Sequence, residues 1–221
     1  MKKSVYSLVL MDSVVDAVDR LAAMNRTSRS NMINQILAEH ISFQTPEMRM
    51  RDIFGQLEAL LDSAEAFQMQ PQPSESMLSV RSSLQYKYKP TVRYSVELLR
   101  EPKDSFGILK VSFRTQSAPL TAELRSFFLR WAELEKKYLA GRYREPIRYT
   151  LDGGKFSRTL MVPPEESYRG SEAVGAAIYR YISTFNEILT QYFLQPGDRA
   201  AAQQQMERSY RSALEKGNLL I

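Results

Sequence analysis

The feature that most constrains the fold is a short alternating stretch near the start of the chain. Residues 4–10 read S-V-Y-S-L-V-L, the alternation of a β-strand. One face carries Tyr6, Leu8 and Leu10, and the other carries Val5, Ser7 and Val9. A single strand has two unpaired edges and needs a partner to be stable. The rest of the chain, or a second copy of it, must therefore supply that partner.

Two short helical patterns follow, and neither can bury its apolar side chains alone. Asp12 and Ser13 suit a helix start, where an acidic residue favours the helix dipole, and apolar residues then recur at helical spacing over 14–22. Ser28 can cap a second helix with apolar residues over 32–41. The economical arrangement is a symmetric homodimer, in which two strands pair antiparallel and four helices pack beneath them.

The order strand, helix, turn, helix, with the run S-R-S-N-M-I at 28–33, resembles the ribbon-helix-helix regulators of the CopG, Arc and MetJ type. The resemblance covers about the first 43 residues, a fifth of the chain. It implies that the paired strands enter the major groove of double-stranded DNA and that the second helix binds phosphate at its N-terminus. The implied function is that of a dimeric, DNA-binding transcriptional regulator, and not of an enzyme.

Carried onto this chain, the family pattern assigns DNA contacts to particular residues. The groove-facing positions are Val5, Ser7 and Val9, the phosphate clamp is Ser28, Arg29 and Ser30, and Lys2 and Lys3 reach neighbouring phosphates. The sequence departs from the family here, because valines contact only thymine methyl groups and a serine is a permissive partner. Met11 also stands where the family more often has a capping residue. Two interpretations stay open, a DNA-reading ribbon and a ribbon for dimerisation alone.

The rest of the chain predicts a second, α+β domain. After the ribbon-helix-helix domain at 1–45, we expect a connecting helix at 46–67, a polar linker at 68–80, the α+β domain at 81–195 and a helical tail at 196–221. The tail is either docked or a partner-binding extension. The run V-R-Y-S-V-E at 92–97 is echoed by I-R-Y-T-L-D at 147–152, and D-G-G at 152–154 is a hairpin signal. This echo predicts a duplicated β-β-α-β-β-α domain, with four antiparallel strands covered on one face by two helices.

Tyrosines and bases gather around the predicted strands of this domain. They are Tyr86, Lys87, Tyr88, Lys89, Arg93, Tyr94, Arg148 and Tyr149. Such a set suits a surface for a small acidic ligand, a nucleotide or nucleic acid. We favour a plainer interpretation, in which the tyrosines are half-buried sheet residues and the bases form a solvated face. The charged run at 133–137 is likewise expected to be a solvated helix face.

Composition removes most enzyme chemistry from this chain. It has no cysteine and a single histidine, His40, which excludes thiolate nucleophiles, cysteine or histidine metal sites and most serine–histidine triads. No phosphate-binding loop, dinucleotide fingerprint or nucleophile elbow stands in the sequence. We therefore expect no catalytic residues, no metal and no cofactor.

Charge and hydropathy bear on the partners. The net charge of +5 mildly favours a polyanionic partner, although the first 45 residues carry only one base more than acids. No apolar run is long enough to span a membrane, and the lack of cysteine fits a reducing compartment. We therefore expect a cytoplasmic protein without a membrane partner.

Two roles remain open for the second domain. In a regulator it would sense a ligand, bind a protein partner or join dimers into higher oligomers. The alternative function is an antitoxin or adaptor, in which the ribbon-helix-helix domain dimerises and the second domain binds a protein.

Overall fold

The computed structural model describes residues 4–72, 74–84, 89–165, 170–194 and 199–221. The chain divides into two compact units, Met1–Arg49 and Met50–Ile221. Over the described residues the fold is mixed α+β, with six helices and one six-stranded antiparallel sheet. The α+β class that the sequence predicts is thus confirmed.

The first unit contains a pair of short helices, α1 (Asp12–Met24) and α2 (Arg29–His40). They begin where the sequence predicts helix starts. Their shared core is small, and consists of Val18, Ala22 and Met32 with Ile33 packed against it. Three buried side chains are few for an independent fold, because each contributes only about 1.5–3 kcal/mol at best.

The predicted strand at residues 4–10 does not form within the single chain. Residues 4–11 have no regular secondary structure, and their side chains are exposed. The physical reason is that a strand is defined by hydrogen bonds to a neighbour. The described part of this chain offers that segment no neighbouring strand.

The second unit is built on the sheet. The boundary between the units falls in the first turn of α3 (Pro46–Asp62). The strands are β1 (Gln68–Met69), β2 (Met77–Ser83), β3 (Thr91–Leu98), β4 (Ser105–Phe113), β5 (Tyr149–Asp152) and β6 (Lys155–Met161). The later helices are α4 (Ala118–Tyr138), α5 (Ser171–Phe193) and α6 (Arg199–Glu215). The strand order is β1-β2-β3-β4-β6-β5, and all neighbours are antiparallel.

The structure corrects the predicted linker at 68–80, because two strands form there. β1 pairs with β2, and β2 pairs with β3 from Met77 opposite Glu97 to Ser83 opposite Thr91. Pairing along the whole of β3 satisfies the backbone of β2, and this outweighs a polar, proline-bearing composition. The connecting helix accordingly ends at Asp62 instead of residue 67, and the sheet has six strands instead of four.

The element order of the predicted repeat is present in the structure. Each of the runs β3-β4-α4 and β5-β6-α5 has two strands and a helix, and β4 lies beside β6 in the sheet. The two halves differ in size, since β3 has eight residues and β5 has four. Their origin by duplication stays a prediction.

The core of the second unit lies between the helices and one face of the sheet. Strand β3 shows the alternation, with Val92, Tyr94, Val96 and Leu98 buried against the helices. Helix α3 approaches α5 closely at Gly175, where a Cβ would lie 2.8 Å from the main-chain oxygen of Ile53. Any side chain at that position would therefore push the two helices apart.

The predicted C-terminal tail is docked. Helix α6 contributes Ala202, Met206, Tyr210 and Ala213 to the buried core. On its polar side Glu207 binds three residues of α4. Its carboxylate accepts hydrogen bonds from Arg130 Nη2 at 2.6 Å, from Lys137 Nζ at 2.8 Å and from the Tyr138 hydroxyl at 2.7 Å. Apolar burial and this charged network together hold α6 on α4.

The Glu207 network predicts a pH-dependent contribution to stability. The hydrogen bonds from Lys137 and Tyr138 hold the pKa of Glu207 at about 2, below its ordinary value of 4.5. A depressed folded-state pKa stabilises the fold above pH 4.5, and the contribution is lost as the pH falls towards 2. Glu207→Gln should therefore lower the free energy of unfolding at pH 7 by about 1 kcal/mol. Urea unfolding of variant and parent at several pH values measures this difference.

The matched control is Glu215→Gln, which removes an exposed carboxylate from the same helix. At pH 7 it should change the free energy of unfolding less than Glu207→Gln does, because it breaks none of the three hydrogen bonds to α4. A Glu207→Gln effect that is equally large at pH 7 and at pH 2 would contradict the network's role.

Candidate nucleic-acid interface

Exposed apolar side chains concentrate in the first unit. Sixteen large apolar side chains are exposed among the described residues, and thirteen of them belong to this unit. The thirteen are Val5, Tyr6, Leu8, Val9, Leu10, Met11, Val14, Leu21, Met24, Ile36, Leu37, Ile41 and Phe43. Exposed apolar side chains in this number make the first unit a candidate interaction site.

The extended segment at 4–11 has two distinct faces. On one, the exposed fraction falls from 83% at Tyr6 to 59% at Leu8 and 40% at Leu10. On the other, Val5 and Val9 are 99% and 102% exposed. The faces therefore differ as the alternation predicts, with Tyr6, Leu8 and Leu10 on the side that becomes progressively shielded.

The three residues of the predicted phosphate clamp meet at the N-terminus of α2. The Ser28 Oγ accepts a hydrogen bond from the Asn31 amide at 3.3 Å and so caps the helix. The amides of Arg29 and Ser30 have no acceptor in the part of the chain that the structure describes. Two free amides at a positive helix end can bind an anion.

Arg29 is already engaged by an acid of the first helix. Its Nε donates to Asp19 Oδ1 at 2.6 Å, and its Nη2 donates to Asp19 Oδ2. Both side chains are about half exposed. The hydrogen bond from Arg29 lowers the pKa of Asp19, so the carboxylate is ionised at neutral pH. A phosphate at this position must therefore share Arg29 with Asp19 or displace it.

Sequence patterns alone did not indicate Asp19 as part of this site. The signal available was an acid on the first helix, ten residues before Arg29, but the distance between two helices is not set by spacing. The groove positions Val5, Ser7 and Val9 are exposed, as expected, and no hydrogen bond joins them to the clamp within the described residues. Lys2 and Lys3 lie outside the described residues.

The proposed basic aromatic surface of the second unit does not form from its described members. Tyr94 is fully buried, and its hydroxyl donates to Asn186 Oδ1 at 2.9 Å. Tyr149 stacks on Phe156, while Arg93 is exposed on the opposite face of the sheet from Tyr94. The bases Arg93 and Arg148 are exposed and Tyr149 is half-buried, as the plainer interpretation predicts, whereas Tyr94 is fully buried. Tyr86, Lys87 and Tyr88 fall outside the described residues.

A buried ion pair in the second unit corrects another expectation. Glu135 was expected on a solvated helix face, but Glu135 and Arg158 both have side chains that are 0% exposed. Arg158 Nε lies 3.3 Å from Glu135 Oε1, and the Tyr181 hydroxyl donates to the same oxygen at 3.0 Å. Trp131 Nε1 donates to the Tyr181 hydroxyl at 2.7 Å, and Arg158 Nη2 donates to the main-chain oxygen of Ile221 at 2.6 Å.

Burial and neighbouring charges act in opposite directions on the pKa values of this pair. It raises the pKa of Glu135, against the lowering effects of the Arg158 charge and the Tyr181 hydrogen bond. For Arg158 burial acts downward, but the Glu135 carboxylate and nearby tyrosines raise the pKa overall. A carboxyl with a raised pKa can mark an active site. This one is enclosed by aromatic side chains within the core, so we assign the pair to core structure.

Removing one member of the buried pair should be costly. Glu135→Gln leaves Arg158 buried without its counter-charge, and we expect a loss of about 3–5 kcal/mol of unfolding free energy. The double variant Glu135→Leu/Arg158→Met should recover most of that loss, because no charge then stays buried. Chemical denaturation of each variant measures the coupling.

The exposed pair Lys110–Glu97, with atoms 2.6 Å apart, is the matched control. Glu97→Gln should cost less than about 1 kcal/mol. Equal losses at Glu97 and Glu135 would contradict the structural role given to the buried pair.

Membrane spans and metal sites are not seen in the described part of the chain. Among the described residues, no helix combines the length and apolarity needed to cross a membrane. Within the same ranges, acidic and histidine side chains do not group in threes where they could hold a metal ion.

Comparisons of the chain with protein-family models, with curated proteins and with solved structures found no match. The ribbon-helix-helix resemblance therefore rests on the residues of the first unit. The features that bear on function are the exposed alternating segment, the helix pair behind it and the open end of α2.

Proposed function

We propose that this protein is a homodimeric, DNA-binding transcriptional regulator of the ribbon-helix-helix type. The observation that carries the proposal is an exposed, alternating segment ahead of two helices that share only three buried apolar side chains. Two copies of residues 4–10 would pair antiparallel across a two-fold axis, and each would satisfy one open edge of the other. This is the economical way to complete both the strand and the core.

The apolar surface supports a dimer on energetic grounds. Pairing would turn Tyr6, Leu8 and Leu10 onto the helices of both protomers. Each large apolar side chain that becomes fully buried contributes about 1.5–3 kcal/mol. Contributions of that size from both protomers exceed what Val18, Ala22 and Met32 can supply alone. Folding of the first unit is therefore coupled to dimerisation.

The outer face of the ribbon would enter the major groove of DNA. Val5 and Val9 would contact thymine methyl groups, and Ser7 would donate to or accept from base edges. With so few polar groups on this face, discrimination among sequences would depend on DNA shape or on several adjacent dimers.

Phosphate contacts would supply most of the affinity. The N-termini of the two α2 helices offer one anchor per protomer, each with the Arg29 and Ser30 amides and the hydroxyls of Ser28 and Ser30. Lys2 and Lys3 would add charge beside the ribbon. The Asp19 carboxylate weakens the attraction between this anchor and phosphate, because it neutralises part of the Arg29 charge.

The second unit would modulate the first. We propose that it arose by duplication of a β-β-α unit and that it senses a small acidic ligand or joins dimers. It has its own core, independent of the small core of the first unit. A folded unit of this size favours a regulatory domain over the short toxin-binding segment usual in antitoxins.

The dimer is tested by one substitution on each face of the segment. Leu8→Ser should raise the dimer dissociation constant by about 1,000-fold, because each of the two inward side chains in the dimer loses about 2 kcal/mol of burial. Val9→Ser, the control on the outward face, should leave the dimer intact. Sedimentation equilibrium measures both constants. Equal effects at both positions would contradict the proposed orientation of the ribbon.

DNA binding is tested at the α2 N-terminus. With mixed-sequence duplex DNA at low salt, Arg29→Ala should weaken binding about tenfold and reduce the salt slope by at most about 2 per dimer, one phosphate per protomer. Asp19→Asn should strengthen binding, since it releases the full Arg29 charge. Arg26→Ala, an exposed base in the turn before α2, is the control and should change binding less than twofold. Fluorescence anisotropy over a salt series gives all four affinities.

A parent protein that dimerises but binds no duplex DNA at low salt would overturn the regulator proposal. That result would favour the adaptor alternative, in which the ribbon serves dimerisation alone.

A further inference from the structure

The sheet of the second unit has one face covered by helices and one open face, and the open face carries a row of bases. Register pairs place Arg81 of β2 beside Arg93 of β3, Arg93 beside Ser112 of β4, and Ser112 beside Lys155 of β6. Arg81, Arg93 and Lys155 are all exposed. Since partners in register point to the same side, the three bases form one cross-strand line.

Two of these bases are direct neighbours of like charge. Arg81 and Arg93 are opposite each other, an arrangement that destabilises a sheet unless an anion compensates it. Arg81 Nε donates to the neutral Gln68 Oε1 at 3.0 Å. For Arg93 and Lys155 the described residues provide no ion pair, whereas Lys110 in the adjacent row is paired with Glu97 at 2.6 Å. Asp152 of β5 stands opposite Lys155 in register and is exposed, so the row holds three bases and one acid and keeps a net positive charge that is concentrated at Arg81 and Arg93.

The surroundings of the row are mostly polar. Hydroxyl groups occupy the next row, where Ser79 Oγ and Ser95 Oγ are 2.8 Å apart. With neighbouring strands about 4.8 Å apart, three strand steps from Arg81 to Lys155 span about 14 Å. Bases and hydroxyls over that distance match the phosphate oxygens of a polyanion.

The aromatic content of the open face distinguishes between single-stranded and double-stranded nucleic acid as its ligand. At the described open-face positions of β2, β3, β4 and β6 no residue is aromatic, and the ring of Tyr94 lies on the covered face. Single-stranded nucleic acid is bound largely by stacking of bases on such rings. The open face carries bases and hydroxyls beside two acids, Glu97 and Asp152, and has no ring at the described positions. Such a face suits a duplex, whose phosphates are outside and whose bases are stacked within.

We propose that the open face of the sheet is a second DNA-binding surface, which holds the phosphate backbone of double-stranded DNA through Arg81, Arg93 and Lys155. The choice of DNA as the polyanion rests on the proposed function of the first unit. The surface itself rests on the register and exposure of the three bases. It adds affinity without sequence preference.

The test removes the row in the full chain. The variant Arg81→Gln/Arg93→Gln/Lys155→Gln should bind mixed-sequence duplex DNA at least tenfold more weakly, with a salt slope smaller by about 0.9 for each phosphate that the variant no longer neutralises. The matched control, Arg208→Gln/Arg211→Gln/Lys216→Gln, removes the same charge from exposed positions on and just after α6. It should change binding less than twofold.

A thermal measurement separates binding from folding, and one further variant separates the charge of the row from its shape. The thermal midpoint of the open-face variant should be close to that of the parent, because the variant removes the like-charge neighbours Arg81 and Arg93 and also the attraction between Lys155 and Asp152. Arg81→Lys/Arg93→Lys should retain most of the affinity, since phosphate accepts a point charge. Loss of DNA binding by the Arg81→Lys/Arg93→Lys variant, with a thermal midpoint equal to that of the parent, would overturn recognition of phosphate by charge.

The outcomes distinguish this surface from the α2 site. If the open-face variant matches its control while Arg29→Ala loses affinity, the second surface is overturned and the proposed function stands. If the open-face variant loses affinity while Arg29→Ala does not, the second surface is supported and the role of α2 is overturned. Tighter binding of single-stranded than of duplex DNA by the parent, removed by the open-face variant, would overturn the choice of duplex.

Discussion

Phe185 of α5 is the contact on which the second unit depends. Six aromatic rings lie around it at centroid distances of 4.6 to 6.3 Å. They belong to Tyr94, Phe127, Phe128, Trp131, Phe156 and Tyr181. Because these rings come from β3, β6, α4 and α5, one side chain joins the sheet to both of its long helices. The buried pair of Glu135 and Arg158 lies beside this cluster, with Arg158 over the Tyr181 ring and the Tyr181 hydroxyl donating to Glu135 Oε1. Glu135 Oε2 and Arg158 Nη1 have no hydrogen-bond partner among the described residues.

Much of this architecture could be predicted because the signals are local. Ser28 caps a helix through its own hydroxyl, and Gly153 and Gly154 have the positive φ angles, 50° and 80°, that a tight hairpin between β5 and β6 requires. Such features need only a few consecutive residues. The elements that the sequence did not reveal are those defined by distant partners. β1 and β2 form because β3 accepts them, and Glu135 is buried because Arg158 lies on a strand 23 residues away.

In the candidate site, too, contacts between consecutive residues could be predicted and contacts between distant elements could not. Ser28, Arg29 and Ser30 are consecutive, so their meeting at the start of α2 could be predicted. The Asp19 carboxylate reaches Arg29 only because α1 and α2 pack together, and no spacing rule foretells that contact. The row of Arg81, Arg93 and Lys155 is a product of register across four strands, which sequence patterns fix only within a single strand.

The three-residue core of the first unit has a consequence for regulation. In the proposed dimer, the DNA-binding unit would gain its stability from a partner, so the competent fraction would depend on protein concentration, whereas the second unit keeps its core in every molecule. At protein concentrations below the dimer dissociation constant, each chain would have a folded second unit and a first unit without its partner. The number of protein copies in the cell would then set the fraction of chains that can bind DNA. This dependence on concentration would arise because one protomer buries so little apolar surface by itself.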